Sequence, residues 1–184
     1  MEHAFPCENP ALDFVGTLRA RRNAAPLEKL GSADSLDAWF VESGTADARP
    51  DSTMRDLTAA LSLREAIYSL VAARLRKQSY VDDALKVVNR AASRPPVIPR
   101  LTPEGRRVAA TTEQALSTIA RAGVEILGGS DAALLKECGR PECTQVYLDR
   151  SRGFRREWCS MITCGNKMKA AAYRARRRGN QPSR

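Results

Sequence analysis
Four of the five cysteines in this chain fall in two pairs of equal internal spacing, Cys138-x4-Cys143 and Cys159-x4-Cys164, with fifteen residues between the pairs. Two cysteines so spaced on a tight turn can aim both sulfurs at one point. A second pair arriving from a separate segment completes a tetrahedron. Gly139, Pro141 and Gly165 supply the turn chemistry. The pattern predicts that Cys138, Cys143, Cys159 and Cys164 hold one structural zinc ion. With four thiolates as ligands, such an ion has no open position for water or substrate, so it acts as a folding device. A module this short buries too little apolar surface to fold unaided, and the metal takes the place of a core. Two disulfides and four unrelated thiols are the competing readings. Residues 1–10 have neither the basic start nor the apolar run of a signal peptide, which points to the cytoplasm, where reduction disfavours disulfides.

The charge is divided as unevenly as the cysteines. Residues 138–184 carry 12 Lys/Arg against 3 Asp/Glu, a net of +9, whereas residues 1–137 carry 18 of each, a net of 0. Segregation of this kind implies a basic surface with an anionic partner. Residues 134–137 and 145–149 are expected to pair as strands around the first cysteine turn. Cys164 is expected to open a helix reaching about residue 178. On that helix Met168, Ala171, Ala172 and Ala175 form a small-residue side suited to packing on the strands. Asn166, Lys169, Tyr173, Arg176 and Arg177 lie on another side, at spacings that suit a nucleic-acid groove. Lys167, Arg174 and Arg178 add charge to the same helix. Arg150, Arg152, Arg155 and Arg156, in the loop between the ligand pairs, suit phosphate contact, with neutralisation of the thiolate centre as the rival role. Asn166 is equally suited to capping the helix or bonding a thiolate, and Trp158 to packing beside the metal. The tail, 181–184, is expected to be disordered.

These residues resemble a known family. W-C-S-M-x-x-C-G-N-x-x-K, from Trp158 to Lys169, followed by Y-R-x-R from Tyr173 to Arg176, is similar to the CGNR zinc finger of bacterial proteins. The strand, cysteine turn, strand and helix order resembles treble-clef fingers. The partner of that finger is an N-terminal ABATE domain. Its opening L-D-F-x-N-T signature is matched at Leu12, Asp13, Phe14 and Thr17, with Gly16 standing where the family has Asn. The resemblance implies a transcription regulator.

The uncharged half reads as helical. Residues 9–19 place Leu12, Val15 and Leu18 on one side, with Phe14 beside them and Arg19, Arg21 and Arg22 at a solvated end. Residues 32–43 form a short helix capped by Ser32, with Leu36, Trp39 and Phe40 inward. Ser52 or Asp51 is expected to cap a long helix over residues 53–78, carrying Leu57, Leu61, Tyr68, Val71 and Leu75. Arg64 interrupts that stripe. It either pairs with Asp13, pinning the first helix to the long one, or snorkels to water. A helix over residues 81–93 ends at Pro95 and Pro96. Residues 97–102 and 106–110 read as a structural hairpin, and residues 112–127 as a further helix that Gly128 and Gly129 close and hinge to the finger.

The fold expected is mainly α: a helical domain over 1–130 with one small β-hairpin, then a four-cysteine, treble-clef-like finger over 134–180. The partner expected is double-stranded DNA, with RNA as the alternative. A homodimer formed through the helical half fits a reader with one finger. No apolar stretch is long enough to cross a membrane. His3 is the only histidine, and the neutral half shows no convergent carboxylate pair, so an enzyme is the least favoured class.

Overall fold
The structure, a computed structural model, describes residues 3–179, with side chains described as far as Arg177. The first helix, α1, spans Pro10–Val15 and starts sharply because the Asn9 side chain accepts hydrogen bonds from the Ala11 and Leu12 amides, with Pro10 in the first turn. It is shorter than expected. The Thr17 hydroxyl donates to the Phe14 carbonyl at 2.7 Å, and Ala20 adopts φ +52°, so the chain leaves the helix. Leu18–Arg19 instead form β1, which pairs antiparallel with β2, Leu27–Glu28. Arg19 and Arg22 are exposed, as expected of a solvated end, but Arg21 is not. Arg21 stacks 4.0 Å over the Tyr68 ring and pairs with Glu65 at 2.5 Å, while Arg22 pairs with Glu137.

Helix α2, Ala33–Glu42, carries the expected Ser32 cap, completed as a reciprocal box with Ser35. The long helix α3 spans Met54–Leu75, and its cap is Thr53, boxed with Asp56, rather than Ser52 or Asp51. The Ser52 hydroxyl is engaged elsewhere, donating to Asp37 at 2.5 Å and meeting the Thr112 hydroxyl at 2.6 Å. Helix α4 covers Asp82–Ala92 and α5 covers Thr112–Gly128, the latter boxed by Thr111 and Gln114. Between them β3, Arg100–Thr102, and β4, Gly105–Arg107, form the expected hairpin. Helices α3, α4 and α5 pack against one another, and α1 lies against α3 and α5. Trp39 sits at the centre of an aromatic cluster, with ring centroids 5.1 Å from Phe14, 5.8 Å from Phe5 and 5.9 Å from Phe40.

Arg64 neither meets Asp13 nor reaches water. It is 3% exposed, and its guanidinium grips Glu28 through two bonds of 2.6 and 2.7 Å, with Glu65 at 2.9 Å and the Thr17 hydroxyl at 3.2 Å. Burial opposes ionisation of Glu28, but these bonds outweigh it and hold its carboxyl below the ordinary range. Asp13 accepts from the Cys7 amide at 3.0 Å instead. The element pinned to α3 through this arginine is therefore β2. His3 is likewise tied down, its amide donating to Glu42 at 2.8 Å.

Beyond Gly129 a single 3-10 turn, Ser130–Leu134, leads into β5, Leu135–Glu137, which pairs antiparallel with β6, Val146–Leu148. A wide turn, Met161–Gly165, closed by the Gly165 amide on the Ser160 carbonyl at 3.0 Å, then opens α6, Asn166–Gly179. The joint at Gly128 and Gly129 is braced rather than hinged. Leu135, Val146 and Tyr147 are buried in the same apolar cluster as Leu12, Phe14 and Ile67. The Cys7 thiol donates to the Val146 carbonyl at 3.0 Å, and Gln145 Nε2 donates to the Leu12 carbonyl at 3.1 Å. Gly16 leaves the room that this glutamine amide occupies, since a Cβ there would collide with it.

Candidate metal centre and nucleic-acid interface
Cys138 directly follows β5, and its amide donates across the hairpin to the Gln145 carbonyl at 2.9 Å. The Cys143 amide donates to the Arg140 carbonyl at 2.9 Å, closing a tight turn that returns the second sulfur towards the first. Gly139 donates to the Glu157 carbonyl at 2.8 Å and so draws the approach to Cys159 against this turn. Cys164 lies in the wide turn that starts α6. The four sulfurs all lie within 4.8 Å of one another, with Cys143 to Cys159 at 3.8 Å and Cys159 to Cys164 at 3.6 Å. A tetrahedron with Zn–S bonds of about 2.3 Å has edges of about 3.8 Å. The donor set fits a single structural zinc.

The electrostatics of the four thiols agree with that fit. A hydrogen bond from Cys159 pulls the Cys143 thiol down to about 5, whereas the same contact, with burial, pushes Cys159 up. Four thiolates this close repel one another, and a dication removes the conflict. Further donors are already in place: the Cys159 amide lies 3.4 Å from Cys138 Sγ, and Arg140 lies 3.7 Å from Cys164 Sγ. Arg140 was missed from the sequence, although a lone cation inside a ligand turn was the available signal. Gly165 is required by packing, because a Cβ there would lie 2.7 Å from Met161 Sδ and 3.2 Å from the Trp158 ring. Trp158 is half-buried between Gly139 and Gly165, beside the metal ligands as expected.

The loop between the ligand pairs is organised by Asp149, whose side chain is fully enclosed. Burial alone would raise its pKa, but bonds from Lys136 at 2.7 Å and from the Ser151 hydroxyl at 2.6 Å hold the carboxyl well below the carboxylate range. Arg156 is also used internally. Its amide donates to Asp149 at 3.1 Å, its guanidinium donates to the Trp158 carbonyl at 2.8 Å and to the Cys159 carbonyl, and it lies 4.5 Å over the Tyr147 ring. Arg150 pairs with Asp131 at 2.6 Å and stays exposed. Arg152 and Arg155 are exposed.

On α6, Asn166, Lys167, Lys169, Tyr173, Arg174, Arg176 and Arg177 are all exposed, with Arg177 6.0 Å from the Tyr173 ring centroid. The Arg178 side chain and residues 181–184 lie outside the described residues. The small-residue side does not pack on the hairpin. Met168 is half-buried, but Ala171, Ala172 and Ala175 are exposed, and the contacts of α6 are concentrated on the turn that precedes it. The wide turn directs the helix away from the finger, and alanines offer too little area to draw it back.

A metal-folded basic finger with a projecting helix, built onto an α-helical body, makes this a zinc-finger protein. The chain belongs to the ABATE family, described as "putative stress-induced transcription regulator", whose model matches residues 8–130, and a CGNR zinc finger follows over residues 135–177. No curated protein matches the chain at a significant level. Among the described residues no helix is long and apolar enough to cross a membrane.

Proposed function
We propose that this protein is a DNA-binding transcription regulator of the cytoplasm and nucleoid. Its zinc finger presents α6 to the phosphates and groove edges of duplex DNA. The observation that carries this reading is that α6 extends into solvent with its basic residues uncovered, while residues 1–137 together have no net charge. Arg152 and Arg155 extend the basic surface from the inter-pair loop, and Arg150 joins them by exchanging Asp131 for a phosphate. The zinc holds the finger's shape and takes no part in chemistry, in keeping with a binding protein rather than an enzyme. One helix reads few bases, so two copies joined through the helical body, residues 1–130, fit the economy of such a site. That body is also the place for a signal to act.

Titration of zinc-loaded, full-length protein against duplex DNA at several salt concentrations tests this. With about six phosphate contacts, log K should fall against log salt with a slope of about −5. Replacing Lys169 and Arg176 by Gln should flatten the slope by about 2 and leave the zinc content unchanged. Binding indifferent to salt would count against the reading. Preference for structured RNA in direct competition would move the partner from DNA to RNA.

A further inference from the structure
We propose that the hairpin β3–β4 is a second DNA-backbone contact: an arginine arm on the helical body that takes phosphates other than those held by α6. This inference rests on the DNA-binding reading above. Its basis is the strand register. Arg100 stands directly opposite Arg107, and Leu101 opposite Arg106. Like charges facing each other across an antiparallel pair destabilise it, so a hairpin selected only for structure would interleave acids. Here none of the three arginines has an ion-pair partner among the described residues, although Arg21, Arg22, Arg49, Arg64, Arg94 and Arg150 each have one. Residues 97–108 carry three arginines against Glu104 alone, a local net of +2 inside a half whose total is zero.

The hairpin is also built as a stiff projection. Its roots are pinned to the body: the Val97 amide donates to the Thr118 hydroxyl at 2.9 Å, and buried Val108 exchanges bonds of 2.6 and 2.9 Å with Asp47. Thr102 Oγ1 donates to the Gly105 carbonyl at 2.9 Å, and Gly105 takes φ +116°, which fixes the tip. Pro99 and Pro103 restrict the strands further. Between these anchors Arg100, Arg106 and Arg107 are exposed, with Arg106 bordering a cleft that also holds Glu8 and Asp13. Leu101, at the centre of β3, is 90% exposed. An apolar side chain left in water beside unpaired arginines is the composition of arms that enter a minor groove.

The salt titration separates the two readings when the full-length zinc protein is compared with R100Q/R106Q/R107Q. Because these side chains are exposed and their mutual repulsion is removed, the variant should keep its zinc and melt no lower than wild type. Its slope should be shallower by about 2 to 3, and its affinity near 0.15 M salt lower by roughly 100-fold. R100K/R106K/R107K should stay within a few-fold of wild type. Wild-type protein that binds DNA while the glutamine variant binds with the same affinity and slope overturns the arm alone. Wild-type protein that fails to bind DNA at low salt overturns both readings.

Discussion

Asp13 imposes a cost that depends on pH. The side chain is 4% exposed, and burial raises its pKa to about 6 despite the hydrogen bond from the Cys7 amide. In the unfolded chain the group titrates near 3.9. Between those values the native state holds more protons than the unfolded one, so stability declines as pH rises through the window. The full cost, about 3 kcal/mol, is reached once pH exceeds about 6. Asn at this position keeps the acceptor oxygen and removes the charge. The difference in unfolding free energy between wild type and D13N, read by urea titration, should therefore fall by about 2 kcal/mol from pH 4 to pH 6.5, the rest of the cost lying outside that interval. Zinc release at low pH affects both proteins and cancels in that difference. A difference independent of pH would show that Asp13 is solvated or paired.

At the scale of elements, α6 is a 14-residue helix anchored at one end. Helices of that length are marginal in water without tertiary packing. Its intrinsic propensity therefore bears directly on any groove it must enter as a helix. Each Ala→Gly change costs about 1 kcal/mol of helix stability, so A171G/A172G should weaken DNA binding about 10- to 30-fold. Because neither alanine is buried, zinc content and the thermal midpoint should not move. A matching loss of zinc would mean that the helix supports the metal turn instead of projecting from it. The same exposure marks where sequence reading ended. The cysteine set, the Ser32 cap and the inward face of α2 were legible, because spacing, caps and period are local signals. The Glu28 partner of Arg64 was not, since it lies on a two-residue strand with no period of its own. The direction of α6 depends on one wide turn that spacing cannot encode. The arginine pairing on β3–β4 became visible only with the register.

The whole molecule behaves as more than a body with a finger attached. Tyr147 is fully buried, the Thr144 hydroxyl accepts from the Arg21 amide at 3.3 Å, and Arg156 reaches the Pro6 carbonyl at 3.5 Å. Gln145 joins Leu12 and Cys7 across the seam, and burial keeps the Cys7 thiol neutral where it meets Val146. The four cysteines shape the hairpin that supplies these contacts, so metal affinity is coupled to the stability of the helical body. A ligand that binds only the native state stabilises it by RT ln(1 + [L]/Kd), about 4 kcal/mol at a thousandfold excess over Kd. The zinc-loaded protein should accordingly melt in one transition, with helical signal and Trp39 fluorescence lost together. Chelation should lower that single midpoint by several degrees rather than remove a separate small step. Q145A should weaken the coupling, bringing the midpoints with and without metal closer together. Two resolved transitions, with the helical one indifferent to chelator, would show that the seam transmits nothing and that the metal serves the finger alone.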